Sequence, residues 1–283
     1  GDWLKSYLST ADGERISDMS YPVRLRLALT ELGTTFIKLG QILSTRQDIV
    51  GPEFCEELTK LLSHAPADDY ETVSTIITAE LGHPPEEIFG DFDHEPLGSA
   101  SIGQVHRAFL KDGTEVVVKV RHDQIEQRIN SDLEILDILA QLAEKHSSLL
   151  RHYRPIETVA DFRKILLAEL DYGQEYRNLT RFRANFEQQD KVRFPTPYQE
   201  FCSDHVLTME RFQGTSVDDL KSLEGDHDLP GFARNGANVY LDMVFRDGFF
   251  HADPHPGNLM ILPDGIVGIL DCGMVGRIDE QLR

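Results

Sequence analysis

Two prolines, Pro254 and Pro256, interrupt the stretch His251-Ala252-Asp253-Pro254-His255-Pro256-Gly257-Asn258. Proline lacks a backbone N–H and fixes φ, so neither a regular helix nor a sheet ladder can run through this segment, and it has to be a rigid loop. A helical apolar pattern over 230–247 precedes it. Two short strands, 259–262 and 266–270, come after it and flank the turn Pro263-Asp264-Gly265. Asp271 closes the second strand, just ahead of Cys272-Gly273. An Asp and an Asn five apart on a rigid loop, plus an Asp after a hairpin, supply what phosphoryl transfer requires. One carboxylate orients the nucleophile, while an amide oxygen and a second carboxylate hold Mg²⁺ on the phosphates. Singly, an Asp-Pro is a turn and an Asp-Cys-Gly a strand end. Jointly, in this order and spacing, HxDxxxxN with DxG is a specific signal. His251 and His255 beside Asp253 also raise zinc, but the prolines keep the two imidazoles off a common helical face. Magnesium is the better match, and His251 reads as a brace for the loop.

Upstream, Leu97 to Val105 contains Gly98-Ser99-Ala100-Ser101, a small-residue turn feeding a strand. Small side chains let backbone amides approach phosphate oxygens, although a Gly-Ser turn is also an ordinary connector. The turn gains meaning from the apolar runs 102–110 and 114–121, joined through Lys111-Asp112-Gly113 as a hairpin. The second run is a strand that delivers one lysine, Lys119. In kinases a small-residue loop and a lysine on the third strand share the work on the phosphates. That lysine needs an acidic partner. Glu169, Asp171 and Glu175 lie in a helical pattern over 155–189, where 100° per residue puts Asp171 and Glu175 on one face and Glu169 elsewhere. A solvated helix face is the plain alternative for this cluster.

The rest of the chain sets limits. Its 283 residues, 40% hydrophobic and 27% charged, fit a globular protein with a sizeable core. No stretch approaches the ~18 consecutive apolar residues of a membrane span, and no signal peptide opens the chain. With 48 acidic against 28 basic residues, the net charge of −20 opposes non-specific binding to nucleic acid or to anionic lipid. Cys55, Cys202 and Cys272 are too few and scattered for a disulfide framework or a zinc knot, and they fit a reducing compartment. The first ninety residues read as helical, at 22–33, 34–49, 52–63, 70–81 and 84–89. A further helix is expected over 122–146, with Ile125, Ile129, Leu133, Leu136, Ile138 and Leu139 as its apolar positions.

Lys38-Leu39-Gly40-Gln41 (KxGQ), the loop at 98–101, Glu169-Leu170-Asp171 (ExD) and HADPHPGN with DxG stand in this order between residues 38 and 273. In this the chain resembles the UbiB family of atypical protein-kinase-like proteins, the aarF-domain kinases. KxGQ in a helical leader is peculiar to that family, which makes the resemblance specific. It implies an α+β, protein-kinase-like two-lobed fold. Residues 1–91 would form a helical KxGQ extension, 92–211 an N-lobe with inserted helices, and 212–283 a partial C-lobe cut short after Arg283.

The resemblance also implies roles. Lys119 would contact the phosphates of ATP or ADP and pair with Glu175, the counterpart of the kinase C-helix glutamate. Gly98, Ser99, Ala100 and Ser101 would lie against the nucleotide, and Glu210 would fall at the hinge that meets adenine through backbone groups. Asp253 takes the catalytic position, and Asn258 with Asp271 the positions that hold Mg²⁺, or Mn²⁺ in its place. Lys38 and Gln41 would cover the site against protein substrates, with Glu169 and Asp171 acting on that leader or on the metal–nucleotide site. The implied function is an ATPase that supports ubiquinone or other isoprenoid-lipid biosynthesis. Its partners would be the nucleotide, isoprenoid lipid or lipid-biosynthetic proteins, and no nucleic acid. Its place would be cytoplasmic with peripheral membrane contact, the full-length protein being anchored in some members. The family loop is typically AAAS; here its first position is the glycine of an ordinary kinase. Two other functions use the same residues: a small-molecule kinase of the aminoglycoside or choline kinase type, and a nucleotide-gated lipid- or partner-binding module without turnover.

Overall fold

The computed structural model describes residues 18–61, 65–146, 151–219 and 228–279. Four helices open the described chain: α1 (Tyr21–Leu32), α2 (Thr34–Ser44), α3 (Gln47–Val50) and α4 (Pro52–Leu58). Gly33 and Gly51, at φ of 96° and 81°, make the turns before α2 and α4 that most residues resist. The helix expected over 34–49 thus divides after Ser44. That expected over 52–63 ends at Leu58, and its last two positions lie outside the described residues. Next come α5 (Tyr70–Leu81), capped by Asp69, and the one-turn α6 (Pro85–Ile88). Strands β1 (Asp91–Phe92), β2 (Gly98–Ser99), β3 (Gly103–Phe109) and β4 (Glu115–Arg121) lead into α7 (Ile125–His146), α8 (Pro155–Glu169) and α9 (Tyr172–Asn185). After β5 (Val192–Arg193), β6 (Val206–Glu210) and β7 (Thr215–Ser216), α10 (Leu229–Leu241) runs into a π-helical turn, Asp242–Asp247. The chain then forms β8 (Phe249–His251), a 3₁₀ turn at Pro256–Asn258, β9 (Leu259–Ile261), β10 (Val267–Ile269) and β11 (Val275–Arg277).

One expected helix is corrected. The run 155–189 breaks between Glu169 and Tyr172, because Asp171 leaves helical geometry (φ −96°, ψ 89°) and caps α9, its Oδ1 accepting the Gln174 N–H at 2.8 Å. A side chain that caps cannot also occupy a helical face, so the shared face of Asp171 and Glu175 does not exist.

Compactness divides the chain differently from the sequential boundaries at 91 and 211. One unit comprises residues 1–66 with 124–163, the other 67–123 with 164–283. In the first, the leader helices gather α7 through its Ile129, Leu133 and Leu136 side, with Thr35 Oγ1 donating to Asp132 Oδ2 at 2.6 Å. Ile138 and Leu139, expected in the same apolar stripe, face solvent instead. Gly40 of KxGQ sits at a close approach: a Cβ there would lie 2.3 Å from Leu61 Cδ1 and 2.9 Å from Leu29 Cδ1. Gln41 donates from Nε2 to the Leu61 carbonyl at 3.1 Å. Two of the four KxGQ residues therefore knit the leader itself.

The second unit is built on a sheet ordered β1-β3-β4-β6, with β2 folded onto β3. Alternation along β4 sends its side chains to opposite faces of that sheet. Val116, Val118 and Val120 point into a core with Val73, Ile77, Phe89 and Phe92. Val117 and Lys119 point the other way, toward a second core of Leu179, Phe182, Phe194, Met243, Phe249 and Val267. That second core carries α9, α10 and the hairpins around the proline-rich loop, and it fixes the loop relative to the sheet.

Candidate phosphoryl-transfer site

β4 delivers Lys119 to two carboxylates. Its Nζ lies 2.6 Å from Glu175 Oε1 and 3.0 Å from Asp271 Oδ2. Glu175 is on the first turn of α9, which the Asp171 cap orients. The same helix grips the turn after Asp271: Asn178 Nδ2 donates to the Cys272 carbonyl at 3.0 Å, and the Cys272 N–H reaches Glu175 Oε1 at 3.4 Å. Burial pulls the Lys119 ammonium down, but the Asp271 and Glu175 charges outweigh it and hold its pKa above the ordinary value. Burial, then the Asp271 charge, pushes Glu175 up, and the Lys119 ammonium only partly opposes them. For Asp271 the confinement of the cleft acts upward, yet Lys119 and the Gly273 N–H at 2.9 Å bring it down to about 2. Asp271 keeps 43% of its side chain open, against 5% for Glu175. Of the two carboxylates, Asp271 is the one a cation can reach.

The proline-rich segment joins this cluster through its own hydrogen bonds. His251 is not in the loop but ends β8, paired with Val275 of β11, two strands that periodicity could not reveal in three-residue runs. Buried, it takes the Asp253 N–H on Nδ1 at 3.1 Å, while its Nε2 bonds the Asp271 carbonyl. The ring is the brace the sequence implied. Asn258 Nδ2 donates to the Asp253 carbonyl at 3.1 Å, and Oδ1 is the acceptor of that amide. The Asn258 carbonyl accepts the Leu270 N–H at 2.9 Å. Asp253, Asn258 and Asp271 are thus linked in one constellation with Lys119 and Glu175.

The donor set suits a hard cation. A carboxylate of Asp271 and an amide oxygen of Asn258 are the oxygen donors that Mg²⁺ takes, and these two residues would hold it. The buried Cys272 has its thiol pushed well up by burial and is a packed residue, not a reactive or ligating one.

Other expected positions lie around this centre in different ways. Ser99 and Gly98 form β2 and Ala100 donates its N–H to the Gly103 carbonyl at 2.9 Å, so the turn is a tight hairpin tip with Ser101 buried. Glu210 ends β6, its carboxylate held by Arg193 at 2.6 Å and by Thr196 Oγ1 at 2.9 Å, its amide bonded to the Thr196 carbonyl. Glu169 ends α8. Asp171 caps α9 and pairs with Arg177 at 3.1 Å. Lys38 and Gln41 belong to the other compact unit. Sequence reasoning passed over Asp68, His122 and Gln104, which surround the 98–101 turn; a lone His after a strand gives no local signal.

With this geometry in hand, comparison with known proteins gives three concordant findings. The family model described as "ABC1 atypical kinase-like domain" matches residues 60–283. Proteins named "Probable protein kinase UbiB" are similar: that of Pseudomonas paraeruginosa (strain DSM 24068 / PA7) is 42% identical over 93% of this chain, and that of Aeromonas salmonicida (strain A449) 41% identical over 99%. The chain spans about half the length of these curated relatives. Among solved structures, "The complex structure of Rv3197-erythromycin from Mycobacterium tuberculosis" superposes with a TM-score of 0.63 at 30% identity, covering 88% of this chain and 63% of that one. The fold is kinase-like.

Proposed function

The chain belongs to the ABC1 atypical kinase-like family, and on that footing we propose that it binds ATP with Mg²⁺ and hydrolyses it in support of ubiquinone or other isoprenoid-lipid biosynthesis. The observation that carries this reading is the Lys119 ammonium shared by Glu175 and Asp271, beside a loop that ties Asp253 to Asn258. A lysine kept charged inside a cleft is made to meet phosphate. Glu175 would hold it in place, so that Asp271 is released to the cation when nucleotide enters. Asn258 Oδ1 and Asp271 would hold Mg²⁺, which would neutralise phosphate charge. Asp253, kept at the mouth of the loop by His251 and Asn258, would orient a water molecule or an acceptor hydroxyl. Glu210 marks the hinge where backbone groups would meet adenine. Lys38 and Gln41 would restrict protein substrates, with Glu169 and Asp171 regulating the same site. No helix among the described residues is long and apolar enough to cross a membrane. Peripheral membrane contact is part of the proposal.

The test is ATP turnover by the full-length protein, with and without anionic liposomes and quinone-precursor mimics. Asp253→Asn is expected to lower turnover about 100-fold or more while MgATP still binds. Unchanged ATPase in that variant would remove Asp253 from its role. Phosphate found on an alcohol by mass spectrometry would turn the reading toward a small-molecule kinase, and tight MgADP binding without turnover toward a binding module.

A further inference from the structure

The turn at 98–101 consists of small residues with little side chain to hold it, yet it is pinned from one side. His122, 8% exposed, comes directly after β4 and makes two contacts with the turn and one with the residue that follows it. Its Nε2 lies 3.1 Å from the Ala100 carbonyl oxygen and 3.3 Å from Ser99 Oγ, and its backbone N–H donates to the Ile102 carbonyl at 3.0 Å. On its far side Nδ1 meets Asp68 Oδ2 at 2.9 Å. Asp68 is fixed in turn. Its Oδ2 also accepts the Asp123 N–H at 3.1 Å. Its own N–H and carbonyl are both taken by the amide of Gln104, at 2.7 and 3.1 Å. Gln104 is 1% exposed, and its Nε2 also meets buried His106 at 2.9 Å.

A trans peptide plane converts this into a direction. Carbonyl and following N–H lie on opposite edges of the plane, and there is no cis bond among the described residues. Binding the Ala100 oxygen toward His122 therefore turns the Ser101 N–H away from it. We propose that His122, anchored by Asp68, is a positioning residue that aims the Ser101 backbone amide at the phosphates of the bound nucleotide. The inference rests on the nucleotide reading above. It deepens that reading by assigning the stiffness of the phosphate loop to the hydrogen-bonded chain Gln104–Asp68–His122, buried at its two ends. A merely structural pair would stabilise the fold without regard to ligand. A positioning pair acts on affinity for phosphate and leaves the rest of the nucleotide indifferent.

The full chain is titrated by calorimetry with MgATP, MgADP and adenosine, as wild type and as His122→Ala, Asp68→Asn and the double variant. Expected is a loss of about tenfold for MgATP and MgADP in each single variant, the size of one hydrogen-bond contribution, with adenosine affinity held. The double variant should lose no more than the worse single one, because the two residues act in series. Asp68→Asn preserves shape and remains informative if His122→Ala melts early. MgATP affinity unchanged in a folded variant, or MgATP and adenosine weakened alike, would overturn the positioning role while leaving the ATP site standing. A wild-type chain that binds adenosine and MgATP equally would overturn it too. A wild-type chain that binds no MgATP would instead sink the nucleotide reading, and the inference with it.

Discussion

The proline-rich loop and the small-residue loop are both held still, by opposite means. At 251–258 the stiffness is local: Pro254 and Pro256 fix their own φ, a 3₁₀ turn comes at once, and His251 binds the Asp253 amide two residues away. At 98–101 the stiffness is imported, since His122 and Asp68 stand 54 residues apart in sequence and neither belongs to the turn. A loop stiffened largely by its own chemistry owes less of its shape to its neighbours. One stiffened from outside is only as rigid as the groups that hold it, and each of those groups is a place where its geometry can be tuned.

The largest effect should come from cutting the link between the two regions. Lys119 leaves the hairpin that carries the small-residue loop and ends on the Asp271 turn. Lys119→Met strands Glu175, 5% exposed, beside a second carboxylate. Removing one partner of a buried ionic cluster typically costs about 3–5 kcal/mol. Urea unfolding measures it, and adding Glu175→Gln should restore much of the loss. Amide exchange sharpens the comparison: Cys272 and Gly273 should exchange faster, while Ala100, whose N–H bonds the Gly103 carbonyl within the turn that His122 holds, should not. Equal acceleration at Ala100 would mean the two loops share one support.

A smaller effect, confined to the same side, comes with acid. Asp271 titrates at about 2, below its ordinary 3.8, so its contribution to stability is full above 3.8 and lost as pH falls through about 2. Melting temperature recorded from pH 5 to pH 2 should therefore fall more steeply for wild type than for Asp271→Asn. Parallel curves would show that Asp271 gains nothing from Lys119 and the Gly273 amide. Glu175, its pKa raised, works with the opposite sign. What it contributes is present below 4.5 and fades as pH rises toward about 7.

The same contrast explains how much could be read in the chain. Pro254, Pro256, Asp253, Asn258 and Asp271 carry their geometry in their spacing, and β4 carries Lys119 in its alternation, so these were legible. The break at Asp171 was not, because Asp is weak but permitted within a helical pattern, and only the cap bond to Gln174 shows that it has left the helix. β8 and β11 are three residues each, too short for a period-2 pattern, and exist by pairing with one another. Asp68 and His122 are ordinary polar residues until folding brings them together. KxGQ shows both cases in four residues. Its glycine answers to Leu29 and Leu61, partners no local window contains.

Gly98→Ala probes the comparison at its finest grain. It restores the residue of the alanine-rich loop at the first position, where a Cβ would meet nothing within 4 Å and φ is not positive. With no strain to meet in the fold, alanine acts chiefly on the unfolded chain and should add about 0.4–1 kcal/mol of stability. Thermal melting measures that gain. If the turn takes its shape from His122, a methyl at position 98 leaves the Ala100 carbonyl where it is. The loss of MgATP affinity should then be smaller than that from His122→Ala. A loss as large as that of His122→Ala would show that the turn's own composition, and not the hydrogen-bonded chain behind it, decides where the Ser101 amide points.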